Sequence, residues 1–169
     1  MKLRHAESRP VPALPEGVRA EIDRWVAKYP PEQTQSAVMA ALRIVQEDHG
    51  GYLTEELIGA VADYLHMPRI AVYEVATFYA MYEMKPVGRH KISVCNSISC
   101  MLGGSEGVLD YLKQKLGVDL GEVTPDGKFS IKEVECLGAC IGAPMFMVGK
   151  RYYENLTPDE IDRVLDELE

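Results

Sequence analysis

Apolar positions recur three and four residues apart through the first half of the chain. Val18, Ile22, Val26 and Tyr29 fall on one face of a helix, which "YPP" at 29–31 ends. A second stripe at Val38, Leu42 and Val45 is closed by Gly50-Gly51. Thr54 is placed to cap a third helix carrying Leu57, Ile58, Val61 and Leu65, and Pro68 suits the first turn of a fourth, "PRIAVYEVATFYAMY". That last stretch is rich in β-branched and aromatic residues, so a strand competes there; its length favours helix. Residues 1–14 show little periodicity and read as a flexible tail. The prediction is a bundle of about four helices over residues 15–84.

The pattern changes after a linker at 85–89, within "KPVGRH". "KISV" is a short strand running into Cys95, and "SEGVLDYLKQKLG" is a helix beginning at Ser105 and stopped by Gly117. "FSIKEVE" alternates as a strand and runs into Cys136. "PMFMV", Gly149-Lys150 and "RYYE" read as a hairpin. Thr157-Pro158-Asp159-Glu160 opens a last helix with a capping box. Strand, helix, strand, hairpin, helix over 90–169 is an α/β domain with a small mixed sheet, so the whole chain is α+β: a helical bundle followed by an α/β domain.

The 169 residues suffice for one large or two small domains. Eighteen Lys and Arg against twenty-six Asp and Glu leave a net charge of −8. A chain of that sign lacks the basic footprint that nucleic acid or anionic lipid requires, so neither nucleic acid nor direct membrane insertion is expected. No apolar run has the length of a signal peptide or a membrane span, which points to the cytoplasm. In that compartment cysteines serve as metal ligands or redox groups more often than as structural disulfides.

All four cysteines lie in two short stretches, "VCNSISCMLGG" and "ECLGACIGAP": Cys95 with Cys100, and Cys136 with Cys140. Each pair follows a predicted strand, so two loops converge at one edge of a sheet. Four thiolates there suit Zn²⁺ or an iron–sulfur cluster. Structural zinc knuckles favour two residues between ligands, whereas the gaps here are four and three. A [2Fe–2S] core is longer, gives two thiolates to each iron, and tolerates a four-residue gap in plant-type ferredoxins. Spacing therefore favours the cluster, with zinc and free or disulfide-forming thiols as the alternatives. Such a cluster is anionic and calls for close backbone N–H donors. Gly103, Gly104, Gly138 and Gly142 would permit that approach, and the N-terminal end of the helix at Ser105 would face the same loop.

This cysteine pattern, with "ECLGAC" and the Ala-Pro that follows, resembles the thioredoxin-like [2Fe–2S] ferredoxins. From about residue 15 onward, "YEVATFYAMY", "TPDGKFSIKEVECLGACIGAPMFMVG" and "YYENLTPDEID" resemble, more narrowly, the E subunits of bacterial NADH-quinone oxidoreductase, respiratory complex I. The resemblance implies one [2Fe–2S] cluster on Cys95, Cys100, Cys136 and Cys140, and a thioredoxin-like domain behind a helical one. It implies a flavoprotein partner subunit that binds FMN and NADH, further iron–sulfur subunits, and a place at the cytoplasmic face of the inner membrane through the parent complex. The same module serves NAD-dependent formate dehydrogenases and hydrogenases. One departure is Gly142, where the family often has Asn before Ala-Pro, a position that bears on cluster tuning.

Other candidates read as structural. His5, His49, His66 and His90 are scattered over tail, helix ends and linker, as surface histidines are. Met145 and Met147 lie on a predicted strand and read as packing. Phe78, Tyr79, Met81, Tyr82 and Met84 exceed what one helix face needs, leaving core packing and partner docking as competing roles. No dinucleotide fingerprint, phosphate loop or nucleophile triad is present, so no catalysis is expected from this chain alone.

Overall fold

The periodic stripes of the first half form four helices: α1 (Glu16–Val26), α2 (Val38–Asp48), α3 (Glu55–Tyr64) and α4 (Arg69–Phe78). This is a computed structural model, which describes residues 12–168. Residues 1–11, including His5 and most of the tail expected at 1–14, lie outside the described residues. The described chain divides into two units, one ending at Pro86 and the other beginning at Val87.

In the first unit Ile22, Leu42, Leu53, Val61 and Val72 are wholly buried, and Leu14, which the sequence placed in the tail, packs into the same core. Thr54 caps α3 by accepting from the Leu57 N–H. A 3₁₀ segment, Pro31–Ala37, leads into α2 where no regular element was predicted. The competition at α4 resolves to helix, but the helix ends at Phe78 instead of running through Tyr82. The buried amide of Gln46 explains the stop. Its Nε2 donates to the Met81 carbonyl at 3.1 Å and its Oε1 accepts from the Glu83 N–H at 2.7 Å. Those backbone groups find partners on α2 and no longer need a helix. The fold-back turns Tyr82 inward, where its hydroxyl donates to the Met39 carbonyl at 2.8 Å, and leaves Phe78 outside, 79% exposed.

The second unit is built on a four-stranded sheet of β1 (His90–Cys95), β2 (Phe129–Val134), β3 (Phe146–Val148) and β4 (Arg151–Tyr153), in the order β2-β1-β3-β4. β1 and β2 are parallel, in register from His90 opposite Phe129 to Cys95 opposite Val134; β3 runs antiparallel to β1, and β4 to β3. A parallel pair needs a long crossover. Helix α6 (Ser105–Leu116) supplies it, following the single-turn α5 (Ile98–Leu102), and packs on β1, β2 and the last helix, α7 (Pro158–Glu167). Ile92, Leu112, Ile131, Phe146 and Ile161 form the core between sheet and helices. Thr157 caps α7 on the Glu160 N–H. Gly88, within the segment read as a linker, is buried; its N–H donates to Ser130 Oγ at 3.0 Å, and a Cβ there would lie 2.3 Å from the Phe129 carbonyl carbon. That end of the segment is therefore tied to β2. Among the described residues no helix is long and apolar enough to cross a membrane.

Candidate metal centre

Cys95 is the last residue of β1, and Cys136 follows the end of β2 by two residues. Because the two strands are parallel neighbours, their C-terminal ends share one edge of the sheet, and Cys95 with the segments that follow the two strands places all four thiols near it. The sulfurs gather in two pairs. Cys95 and Cys100 lie in one small buried cluster, and the Sγ atoms of Cys136 and Cys140 are 4.0 Å apart. Among the described residues no three or more His, Cys, Asp or Glu side chains are grouped closely enough to hold a metal ion.

The pairs differ in burial. Cys95 and Cys100 are 2% and 1% exposed, packed with the fully buried Met145, whereas Cys136 and Cys140 are exposed. Burial alone would raise the Cys95 thiol, but N–H groups of Ser97 and Leu137 and the Cys100 side chain outweigh it, and its pKa falls below the ordinary value. Cys100 is pushed up to about 11, first by burial and then by its neighbour Cys95, against one backbone N–H from Met145. The backbone therefore aims donors at the inner sulfurs from both loops, the environment an anionic thiolate-bound centre needs. The donor chemistry fits a binuclear iron–sulfur core: four thiols in a two-plus-two arrangement at one sheet edge, with N–H donors directed at the buried pair.

Local backbone supports this. Gly138, between the second pair, has φ +82°, a region that residues with a Cβ rarely enter. Gly103 lies so close to Ala143 and Pro144 that a Cβ would come within 3.2 Å of their backbones, which brings the end of the first loop against the second. The space beside Gly142 is filled by the Glu154 side chain, and the Gly142 carbonyl accepts from the Asn155 N–H at 2.7 Å.

Polar groups that no sequence pattern singled out brace these loops. Asn96 donates to the Glu133 carboxylate and accepts from Ser105 Oγ; Ser97 Oγ donates to Glu135 at 3.2 Å. An Asn-Ser directly after a cysteine at a strand end was the available signal. The histidines are elsewhere: His49 follows α2, with its ring against Tyr52, His66 follows α3, and His90 starts β1 against Phe129. Met145 is core, as expected. Of the aromatic-methionine stretch, Tyr82 is buried and Met84 packs partly against the core, while Phe78, Tyr79 and Met81 are exposed.

Residues 22–169 match the thioredoxin-like [2Fe–2S] ferredoxin family. The E subunit of NADH-quinone oxidoreductase from Rickettsia bellii is 46% identical over 143 residues, covering 85% of this chain and 86% of that protein. The E 2 subunit of NADH-quinone oxidoreductase from Rhizobium meliloti is 44% identical over 149 residues, covering 88% and 87%. Among solved structures, an NAD⁺-reducing [NiFe]-hydrogenase in its H₂-reduced state shares the fold, with a TM-score of 0.64 at 17% identity over 75% of this chain. The likeness spans 22% of that hydrogenase chain.

Proposed function

The chain belongs to the thioredoxin-like [2Fe–2S] ferredoxin family, and on that footing we propose that Cys95, Cys100, Cys136 and Cys140 hold its one [2Fe–2S] cluster, with each pair on one iron. The function is that of an electron-transfer subunit of the NADH-quinone oxidoreductase type. The chain contributes to an oxidoreductase complex, within which the cluster supplies one-electron redox chemistry. The observation that supports the ligand assignment is the delivery of two thiol pairs to one sheet edge by the parallel β1 and β2, with Ser97 and Leu137 N–H groups turned on Cys95.

The chain's own residues set the conditions for that chemistry. The buried Cys95–Cys100 pair and Met145 keep water from the inner side, while the exposed Cys136–Cys140 pair leaves a short path to a partner's surface. The partner is a flavoprotein subunit carrying FMN and NADH, with which single electrons are exchanged, and the parent complex brings the chain to the cytoplasmic membrane face. The helical unit up to residue 84 serves docking. Its supporting feature is the apolar surface of Ile70, Tyr73, Phe78, Tyr79 and Met81, all exposed along α4 and the segment after it.

The test is direct. Purified protein is expected to hold two irons and two acid-labile sulfides, in line with the cluster's composition, and to give a rhombic paramagnetic signal only when reduced. A colourless protein with stoichiometric zinc would overturn the assignment. The isolated chain is not expected to oxidise NADH; activity with an artificial acceptor should require the flavoprotein.

A further inference from the structure

Between the two cysteine loops one residue at the end of β1 is bonded to two further elements, β2 and α6. Asn96 follows Cys95, and its N–H donates to the Val134 carbonyl at 2.9 Å, carrying the β1–β2 ladder one residue past the strands. Its side-chain amide nitrogen donates to Glu133 on β2, two residues before Glu135 and three before Cys136. Its side-chain oxygen accepts at 3.0 Å from the hydroxyl of Ser105, which is 1% exposed and is the first residue of α6. The first loop leaves the sheet at Cys95, carries Cys100, and enters α6 at Ser105, so the Asn96–Ser105 bond closes it at its neck. The Asn96–Glu133 bond fastens that neck to the strand that delivers the second pair.

We propose that Asn96 is a positioning residue for the metal centre: it fixes the Cys95–Cys100 pair against the Cys136–Cys140 pair, and so governs how tightly the centre is held and its electronic symmetry. This rests on the reading that the four cysteines bind one cluster. The chemistry demands a primary amide of this length, because the side chain donates to a carboxylate and accepts from a hydroxyl at once. Asp keeps the shape and the acceptor for Ser105, but sets two carboxylates face to face at Glu133. Ala removes both bonds and leaves the buried Ser105 hydroxyl without its acceptor, which costs more than the net worth of the bond.

The experiment uses the full chain, loaded with cluster, in three forms beside the wild type: Asn96→Asp, Glu133→Gln, and the two together. The double variant restores a donor–acceptor pair with its direction reversed, Gln donating to Asp, at the wild-type net charge. The readouts are iron and sulfide content, the rate of iron loss to a chelator, the g-value spread of the reduced signal, and far-ultraviolet circular dichroism. Asn96→Asp is expected to release iron at least about tenfold faster, the scale of a lost bond to a charged group, with an altered g-value spread and unchanged circular dichroism. Glu133→Gln, which retains an acceptor for the amide, is expected to shift both less. The double variant is expected to recover most of the retention. Wild-type retention and signal in Asn96→Asp would overturn the proposal, as would a double variant no better than Asn96→Asp. A wild-type chain that binds no cluster would instead fail the ligand reading itself, which the wild-type sample alone reveals.

Discussion

The two units solve the same problem, holding irregular backbone in place, with different stakes. In the helical unit Gln46 and Tyr82 tie the segment after α4 to α2, and the result is a closed apolar core. In the sheet unit Asn96, Ser97 and Ser105 tie loops whose purpose is to present thiols, and those loops leave Ile98, Leu102 and Ile141 exposed, the last at 99%. A buried polar side chain in the first unit protects shape alone. Its counterparts in the second protect the spacing of the four thiols. All four cysteines lie in the second unit, so damage to one unit should read out differently from damage to the other.

The sharpest contrast comes from Cys136→Ala. One iron loses a ligand, so iron content should collapse or the cluster become labile, while the helical signal in circular dichroism stays. Iron at the wild-type level would show the ligand assignment to be wrong. Next in size is core truncation. Leu42→Ala and Ile131→Ala each remove a wholly buried side chain and should cost about 2–5 kcal/mol. Chemical denaturation should find both destabilised, but only Ile131→Ala should also speed cluster loss. Equal loss in the two would break the comparison and mean that the units unfold together.

Truncation tests the division at the boundary. A fragment beginning at Val87 keeps Gly88 and its bond to Ser130, and should assemble the cluster yet bind the flavoprotein subunit more weakly than the full chain. Equal affinity would remove the docking role from the helical unit. Smaller still is Tyr82→Phe, which removes the bond to Met39 and should cost about 0.5–1.5 kcal/mol. Burial pushes the Tyr82 pKa up to about 12 from an ordinary 10. Between those values the unfolded chain loses its proton first, so this tyrosine costs stability as pH rises through that window. Denaturation midpoints of wild type and Tyr82→Phe should therefore converge and then cross as pH rises from 10 to 12. Smallest in stability is Phe78→Ser. At an exposed site it should fall within about ±0.5 kcal/mol, and titration against the flavoprotein should nonetheless find weaker binding. A large loss of helical signal would place Phe78 in the core instead.

The parts legible in the sequence are those with a period or a fixed local grammar. Stripes of Val, Ile and Leu located α1 to α3, Pro68 and length decided for a helix at α4, the alternation in "FSIKEVE" located β2, and Thr54 and Thr157 announced their caps. The cysteine spacing picked out the four thiols that the fold brings to one edge of the sheet. What escaped depends on contacts distant in sequence. Nothing near Tyr79 says that α4 must stop; the reason sits on α2, at Gln46. Leu14 follows two prolines and looks like tail until a core exists to receive it. Asn96 and Ser97 belong to no periodic pattern, and their value appears only once β1 and β2 are side by side. The one-turn α5, too short to show a helical repeat, was hidden in the stretch that carries Cys100.

The parallel pairing of β1 with β2 also has a consequence for biosynthesis. As the chain leaves the ribosome, Cys95 and Cys100 emerge first, followed by the whole of α6 before Cys136 appears. Until the crossover closes and the second strand docks, the nascent protein displays one dithiol without the other, half of the ligand set proposed for the cluster. On the proposed ligand assignment, assembly of the cluster therefore has to follow translation of Cys140. A synthesis rate that pauses after Gly117 would prolong the interval in which the first dithiol stands alone.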